Sequence, residues 1–176
     1  MSRPAALDLP AGCTARSPDH ADHPRVLAGL QDWWDGLGGP DGARERALLL
    51  PPLFFQHFAD TSVVVEDAEG RLVAFLIGFL SSSRPGTAYL HFVGIDPARQ
   101  RRGLGRALYT WFFATTAARG AREVRCVTGP ANTASIAYHR RMGFTIEPGP
   151  REVGGVPVQP DYDGPGIDRV SFVRPL

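Results

Sequence analysis

The chain has 176 residues, of which 43% are hydrophobic and 21% are charged. This is the size and balance of one soluble domain that buries a real core. Its formal net charge is only +1, so it lacks the large basic excess of proteins that bind nucleic acid or anionic lipid. The composition therefore favours a small-molecule or protein partner and argues against nucleic acid and membrane surfaces.

The cysteine content and the N-terminus indicate a reducing compartment. Cys13 and Cys126 are far apart in the sequence and form neither a disulfide framework nor a metal-binding motif. Residues 1–24 lack the basic-then-apolar order of a signal peptide, and the longest apolar run, residues 72–80, is too short to span a bilayer. We predict a cytoplasmic protein with no bound metal.

The first half of the chain changes from helical to strand-like patterning. Residues 1–20 are rich in Pro, Ala, Ser and Asp, which predicts a flexible tail before a single domain over residues 21–176. Apolar spacing predicts helices over residues 24–34 and 48–58, separated by a break at residues 36–42. Three antiparallel strands are predicted next, over residues 61–66, 71–80 and 87–95. Asp96 and Pro97 end the third strand, because proline cannot donate to a sheet ladder.

The second half alternates between strands and helices. One apolar face predicts a helix from Gly103 to about Gly120. The remaining predicted elements are a strand over residues 123–128, a helix from about Asn132 to before Gly143, a strand over 144–146 and a last strand over 169–174. Residues 147–168 are dense in Gly and Pro and are predicted to form an irregular loop.

The segment from Val93 to Arg106 joins a strand end, a turn and a helix start, and it has the features of an anion site. Gly103 and Gly105 allow close backbone approach, and the following helix offers its partially positive N-terminus. Four arginines, at positions 99, 101, 102 and 106, add positive charge around the turn. A diphosphate suits such a site. The sequence has neither the Gly-Lys-Ser/Thr of a P-loop nor a βαβ context, which argues against ATP and dinucleotides.

Two blocks of sequence resemble the GCN5-related N-acetyltransferase (GNAT) family. Gln100–Gly105, with the sequence QRRGLG, is similar to the family's pyrophosphate loop, and residues 132–144, with the sequence NTASIAYHRRMGF, are similar to its later helix and strand. The resemblance covers about residues 61–146. It implies an α/β (α+β) fold with a mixed, mostly antiparallel central sheet of six to seven strands, splayed at the cofactor site and flanked by helices.

The resemblance also implies which residues bind acetyl-CoA as co-substrate. Strand residues matching the family contact the pantetheine arm and thioester, the glycine–arginine loop (Gln100–Arg106) holds the diphosphate, and Asn132 contacts the cofactor from the other side. The implied cofactor-binding residues are Val93, Gly94, Ile95, Gln100, Arg101, Arg102, Gly103, Leu104, Gly105, Arg106 and Asn132. From its sequence context, Asn132 is also a good helix N-cap.

Acetyl transfer to an amine requires groups that move protons, because an alkylammonium must first lose one. The family's usual general acid is a tyrosine four residues before the Gly of the Gly-Phe pair, where this chain has His139, with Tyr138 one position earlier. We predict His139 as the donor and Tyr138 as its alternative. Strand alternation places His91 on the face of Val93 and Ile95, which makes it our predicted base. Tyr89 and Glu66 are further candidates, and a packed, non-catalytic role is open for each histidine.

The predicted function is direct transfer of acetyl from acetyl-CoA to a primary amine of a small molecule, without a covalent enzyme intermediate. The acidic tract Asp161–Asp168, which contains Tyr162, could attract an ammonium group or be an ordinary surface loop. Two alternatives remain open: acetylation of protein N-termini or lysines, and a non-catalytic acyl-CoA sensor. The resemblance also allows a homodimer.

Overall fold

A computed structural model describes residues 7–34 and 39–176. Its sheet has seven strands, and a separate hairpin has two. The strands are β1 (Thr14–Arg16), β2 (Val63–Glu66), β3 (Leu72–Leu80), β4 (Thr87–Ile95), β5 (Glu123–Thr128), β6 (Thr145–Ile146), β7 (Arg151–Val153), β8 (Val156–Val158) and β9 (Val170–Pro175). The helices are α1 (Asp22–Trp33), α2 (Gly39–Leu48), α3 (Leu53–His57), α4 (Leu104–Ala117) and α5 (Thr133–Arg141), with single 3₁₀ turns at Ala59–Thr61 and Pro97–Arg99.

The sheet has the order β1-β2-β3-β4-β5-β9-β6. β4 and β5 pair in parallel through three residue pairs, Thr87–Glu123 to Tyr89–Arg125, whereas β1–β2, β2–β3, β5–β9 and β6–β9 are antiparallel. This mostly antiparallel sheet flanked by helices confirms the predicted fold class. The described helices include none that is long and apolar enough to cross a bilayer.

The chain forms two compact units. The first contains the chain up to Phe79 together with Leu90–Thr116, and the second contains Leu80–Tyr89 with Ala117–Leu176. In the first unit, the apolar positions of α1 pack on α3 and on one face of β2 and β3. The buried residues of this cluster are Val26, Leu30, Leu50, Phe55, Val64, Phe75 and Ile77. Helix α4 buries its own apolar face, including Leu104, Leu108 and Phe112.

Part of the predicted N-terminal tail is ordered, which corrects the expectation for residues 14–16. Thr14, Ala15 and Arg16 form β1 and pair with β2 at the edge of the sheet. The Arg16 guanidinium bonds both carboxylate oxygens of Asp22, at 2.6 and 2.7 Å, and also contacts Glu66. Asp22 is only 1% exposed. Charge pairing thus anchors a segment whose polar, Pro- and Ser-rich composition gave no strand signal.

The helices after α1 also differ from the prediction. The predicted break at residues 36–42 overlaps residues 35–38, which lie outside the described part of the chain, but α2 already begins at Gly39. The predicted helix over 48–58 is replaced by the short α3, preceded by Pro51 and Pro52. Prolines lack the N–H that a helix interior requires, so the helix starts only after them, with Phe55 N–H donating to the Pro52 carbonyl at 3.0 Å.

In the second unit, β9 pairs with β5 over six residues, from Glu123–Pro175 to Thr128–Val170. The predicted irregular loop over 147–168 instead contains the β7–β8 hairpin. Its two-residue turn is Gly154-Gly155, with φ of +58° and +75°. Hairpins of this length favour turns in which both central residues have positive φ, a conformation that glycine adopts readily.

Candidate active site

Strand β4 passes close to the neighbouring strand at Gly94. A Cβ atom at this position would lie 2.3 Å from Cε1 of Phe75, closer than real side chains approach. The Phe75 ring is fully buried and stacks between Trp33 and Phe92, with centroid distances of 6.1 and 5.9 Å. The absence of a side chain at Gly94 therefore has a packing reason, whatever its backbone binds.

His91 belongs to an aromatic cluster in the first unit. Its ring stacks on Phe54 at 4.2 Å, and its Nε2 is 2.5 Å from the carbonyl oxygen of Leu49. Phe54 packs against the same core cluster as Phe92, so His91 and the adjacent Phe92 contact one side of the sheet. Strict alternation would place these neighbours on opposite faces. The expectation that His91 shares the face of Val93 and Ile95 stays a prediction.

The hydrogen bond of His91 also decides how its protons are placed. A carbonyl oxygen only accepts, so Nε2 carries the proton that bonds Leu49. In the neutral ring the basic lone pair is then on Nδ1. The sequence could not indicate Leu49 as the partner of His91, because every residue has a backbone carbonyl that can accept a hydrogen bond.

A capped turn connects β4 to the glycine–arginine loop. The Asp96 side chain accepts a hydrogen bond from Ala98 N–H at 2.8 Å, and Pro97–Arg99 form a single 3₁₀ turn. At the end of this turn, the Arg99 guanidinium bonds Asp67 at 3.0 Å. Arg99 is thus paired with a carboxylate, whereas Arg101, Arg102 and Arg106 have none among the described residues.

The glycine–arginine loop has the conformation and charge of an anion site. Arg101 and Gly103 have φ of +61° and +82°, and the Gly103 carbonyl accepts from Ala107 N–H at 2.9 Å, which begins the α4 ladder. The backbone N–H groups of Leu104, Gly105 and Arg106 lie in the first turn of α4, where a helix provides no carbonyl acceptor of its own, so they are the groups that a bound anion would contact. Within residues 7–34 and 39–176, Arg101, Arg102 and Arg106 are exposed and have no carboxylate partner. Uncompensated guanidinium groups suit phosphate oxygens.

Leu104 anchors the loop at its helical end. Its side chain is 2% exposed, while the preceding three residues are exposed. The loop therefore combines one buried apolar residue with a solvated, positively charged rim. The diphosphate site in the first unit stays a prediction.

Helix α5 of the second unit carries the other predicted residues. Asn132 Oδ1 accepts from Ser135 N–H at 3.1 Å, so Asn132 is the N-cap of α5. Tyr138 is half-buried, and the Arg141 guanidinium lies 5.5 Å from the centre of its ring. His139, one residue later, is 6% exposed. The two candidates for the acid have clearly different surroundings.

His139 is packed and hydrogen-bonded. Its ring stacks on Phe172 at 4.9 Å and meets Phe144 edge-on at 5.4 Å. Nδ1 donates to the Ser135 carbonyl at 2.8 Å. Burial lowers the pKa of His139, although the bond to the Ser135 carbonyl opposes that shift. At neutral pH the ring is therefore uncharged and is not a source of an imidazolium proton.

The further candidates for the base are unsuited by their environments. Burial, together with a hydrogen bond to Tyr162, raises the pKa of Tyr89, so its phenol keeps its proton at neutral pH. Hydrogen bonds from Arg25 and Arg16 lower the pKa of Glu66 and fix its carboxylate in an ion-pair network. His91 stays the predicted base.

The acidic tract of residues 161–168 is structured by its own contacts. Asp161 accepts from Gly166 N–H at 2.6 Å, Asp163 pairs with Arg169 at 2.5 Å, and Asp168 pairs with Arg151. All three carboxylates thus have partners within the second unit. This arrangement favours the surface-loop interpretation over an ammonium site.

Two further points concern the Cys126 thiol and the residue types that bind metal ions. Cys126 is 2% exposed, and burial raises the pKa of its thiol well above the ordinary range. A protonated thiol is a weak nucleophile, in agreement with a mechanism lacking an acyl-cysteine. Within the described ranges, His, Cys, Asp and Glu side chains form no group of three or more suited to a metal ion.

The acetyltransferase (GNAT) family model matches residues 27–144. This span includes β2 to β5, the glycine–arginine loop and α5. The chain belongs to the GNAT family, and the resemblance seen in the sequence is confirmed.

Two curated relatives are acetyltransferases by name. L-2,4-diaminobutyric acid acetyltransferase from Nocardia farcinica is 33% identical over 108 residues, which are 59% of this chain and 55% of that protein. Mycothiol acetyltransferase from Gordonia bronchialis is 33% identical over 139 residues, 74% of this chain and 41% of that protein. The matched segments span about half of these relatives' lengths or less.

Solved structures share the fold. Diaminobutyrate acetyltransferase from Paenibacillus lautus, in complex with L-2,4-diaminobutyric acid and coenzyme A, aligns with a TM-score of 0.64 and 22% identity over 92% of this chain and 93% of that chain. The ribosomal-protein-S18-alanine N-acetyltransferase from Escherichia coli gives a TM-score of 0.64 and 22% identity, with 93% of both chains covered. At such identities the likeness concerns the fold alone.

Proposed function

We propose that this protein is an N-acetyltransferase that moves the acetyl group of acetyl-CoA to a primary amine of a small molecule. The observation that carries the proposal is the glycine–arginine loop. It has a left-handed Arg101 and Gly103 and three arginines that have no carboxylate partner in the described part of the chain. Family membership supports acetyl-CoA as the co-substrate. The names of the two curated relatives support a small-molecule amine as the acceptor.

The first unit supplies the residues proposed to bind acetyl-CoA. The backbone N–H groups in the first turn of α4 and the guanidinium groups of Arg101, Arg102 and Arg106 would bind the diphosphate. The main chain of Val93–Ile95 would bind the pantetheine arm and orient the thioester. In the second unit, Asn132 is proposed to contact the cofactor in addition to capping α5.

Bound acetyl-CoA supplies an acetyl thioester, which a neutral amine attacks directly to give an amide and a free thiol. His91 is proposed to accept the amine proton at Nδ1, directly or through water, while Nε2 remains bonded to the Leu49 carbonyl. That bond fixes the tautomer and the ring orientation, which a base needs to be effective.

For the proton that the departing sulfur takes up, we propose Tyr138 rather than His139 as the donor. The buried, uncharged His139 has its only N–H engaged by Ser135. A phenol keeps its proton at neutral pH and can donate it. His139 is instead proposed to fix α5 against Phe144 and Phe172.

Further proposals concern the domain organisation, the location and the partners of the protein. We propose that the domain predicted over residues 21–176 is a single catalytic domain, extended at its start by β1. We also propose that the protein is cytoplasmic and has no nucleic-acid partner, in keeping with its net charge of +1. Homodimer formation is left to measurement of the mass in solution.

The test is incubation of the purified protein with acetyl-CoA and a panel of diamino acids, aminothiol precursors, polyamines, arylalkylamines and peptides, read by mass spectrometry. We expect a small-molecule product whose rate falls about 10²-fold or more in His91→Gln, in the range ascribed to general-base catalysis. Tyr138→Phe should also lower the rate, whereas His139→Gln should retain more activity than either.

The variants Arg101→Ala and Arg102→Ala should each weaken acetyl-CoA binding. Arg44→Ala, which removes one exposed arginine from α2, serves as the control matched in charge. Acetylation of peptides alone would redirect the proposal to a protein substrate. Tight acetyl-CoA binding without any product would favour a sensor, and the absence of acetyl-CoA binding would refute the proposed function.

A further inference from the structure

Asp67, in the turn between β2 and β3, connects that turn to the start of the glycine–arginine loop. The residue is 6% exposed. Its Oδ1 accepts from the backbone N–H of Glu69 at 3.2 Å and of Arg71 at 3.0 Å. Its Oδ2 accepts from the side chain of Arg71, at 3.0 and 2.8 Å, and from Arg99 at 3.0 Å. One buried carboxylate therefore joins two segments of the first unit.

Arg99 is the last residue before the glycine–arginine loop. The Pro97–Arg99 turn is attached to β3 at one end by the hydrogen bond from Asp96 N–H to the Val73 carbonyl, 2.9 Å. The Arg99–Asp67 ion pair attaches its other end. The loop thus departs from a turn held at both ends.

The backbone conformation of the glycine–arginine loop has to be stabilised by its surroundings. Arg101 has a φ of +61°, a left-handed conformation that a non-glycine residue adopts only at a cost in free energy. Surrounding contacts must hold it there. A loop that relaxes from this conformation must be reordered when a ligand binds, and this reordering weakens affinity.

We propose that Asp67 is a positioning residue that pre-organises the glycine–arginine loop for the diphosphate through Arg99. The inference rests on the proposed function, in which that loop binds acetyl-CoA. Asp67 acts without touching the ligand, because its two oxygens are engaged by Glu69, Arg71 and Arg99. Hydrogen bonds from Arg71 also lower the pKa of Asp67, which keeps the carboxylate charged at neutral pH.

The role of Asp67 is tested by comparing Arg99 and Arg71, the two arginines that share its carboxylate. Arg99→Ala removes the link to the loop, whereas Arg71→Ala removes a guanidinium from the same Asp67 and leaves the link intact. Asp67→Asn and the double variant Asp67→Asn/Arg99→Ala complete a cycle. For each protein, the Kd of coenzyme A is measured by calorimetry, and KM and kcat by acetyl transfer to the amine identified as substrate.

We expect Asp67→Asn and Arg99→Ala each to raise the Kd of coenzyme A and the KM for acetyl-CoA about three- to tenfold, with kcat unchanged. Arg71→Ala should stay within about twofold of wild type. The double variant should bind coenzyme A as tightly as the single variants do, because each single substitution already removes the Asp67–Arg99 link. If Asp67→Asn does not fold, the Arg99→Ala and Arg71→Ala pair still decides the question.

Two results would overturn the positioning role while leaving the proposed function intact. Tighter binding in Asp67→Asn would mean that Arg99 itself binds phosphate once released. Equal affinity in wild type, Asp67→Asn and Arg99→Ala would mean that the link does not influence the loop. By contrast, a wild-type protein that does not bind coenzyme A would refute the proposed function and this inference together.

Discussion

Replacing Gly94 by alanine tests the packing of β4 against β3. The new Cβ would lie 2.3 Å from Cε1 and 2.8 Å from Cζ of Phe75. This ring cannot move easily, because it is fully buried and stacked between two other aromatic rings. Overpacking of this kind costs about 3 kcal/mol at the upper end, offset by about 0.5–1 kcal/mol from replacing a strand glycine. We expect a net loss of about 2 kcal/mol.

The loss is measured by urea unfolding and by thermal melting, where Gly94→Ala should lower Tm by about 4–8 °C. In a Phe75→Leu background, which lacks the clashing ring atoms, the same substitution should cost at least about 1 kcal/mol less. Gly129→Ala is the matched control, since its Cβ would meet only Arg169 Nη1 at 3.4 Å and should change stability by about 0.5 kcal/mol or less. Equal losses from Gly94→Ala in both backgrounds would refute the steric explanation.

The second unit gives two further predictions. Burial lowers the pKa of His139 in the folded state, so as the pH falls below about 6.5 this side chain is protonated in the unfolded chain before it is protonated in the folded protein. The free energy of unfolding of the wild type should therefore fall more between pH 7.5 and 5.5 than that of His139→Gln. Parallel pH profiles of the two proteins would contradict this. Because Cys126 is buried with a raised pKa, a thiol reagent should modify only Cys13 in the native protein and both cysteines after unfolding; rapid native modification of Cys126 would show that the site opens.

Strand and helix positions were predictable where a strong apolar pattern is followed directly by residues that end a strand or a helix. β4 and β5 occupy the predicted residues, because their buried runs end at Asp96-Pro97 and at Gly129-Pro130. The β7–β8 hairpin was missed although Gly154-Gly155 is a known turn signal. Its strands are only three residues long and mostly exposed, so the pattern that indicates a strand is almost absent.

The site was predictable only in its local part. The glycine–arginine loop is contiguous in sequence, so its charge and glycine content could be read directly. The position of His91 depends on the Leu49 carbonyl and on Phe54, and the restraint on Arg99 depends on Asp67. These contacts join segments more than 30 residues apart, and single-sequence patterns carry no information about such pairs.

The ordered β1 strand has a practical consequence for shortening the protein. Removing residues 1–20 as dispensable would take away Arg16 and leave the nearly solvent-inaccessible Asp22 with one guanidinium partner fewer. It would also uncover the edge of β2, whose backbone groups pair with β1. Unpaired strand edges promote self-association. Aggregation of such a shortened chain would therefore result from the loss of β1 and not from low stability of the full protein, and truncation should stop before Cys13.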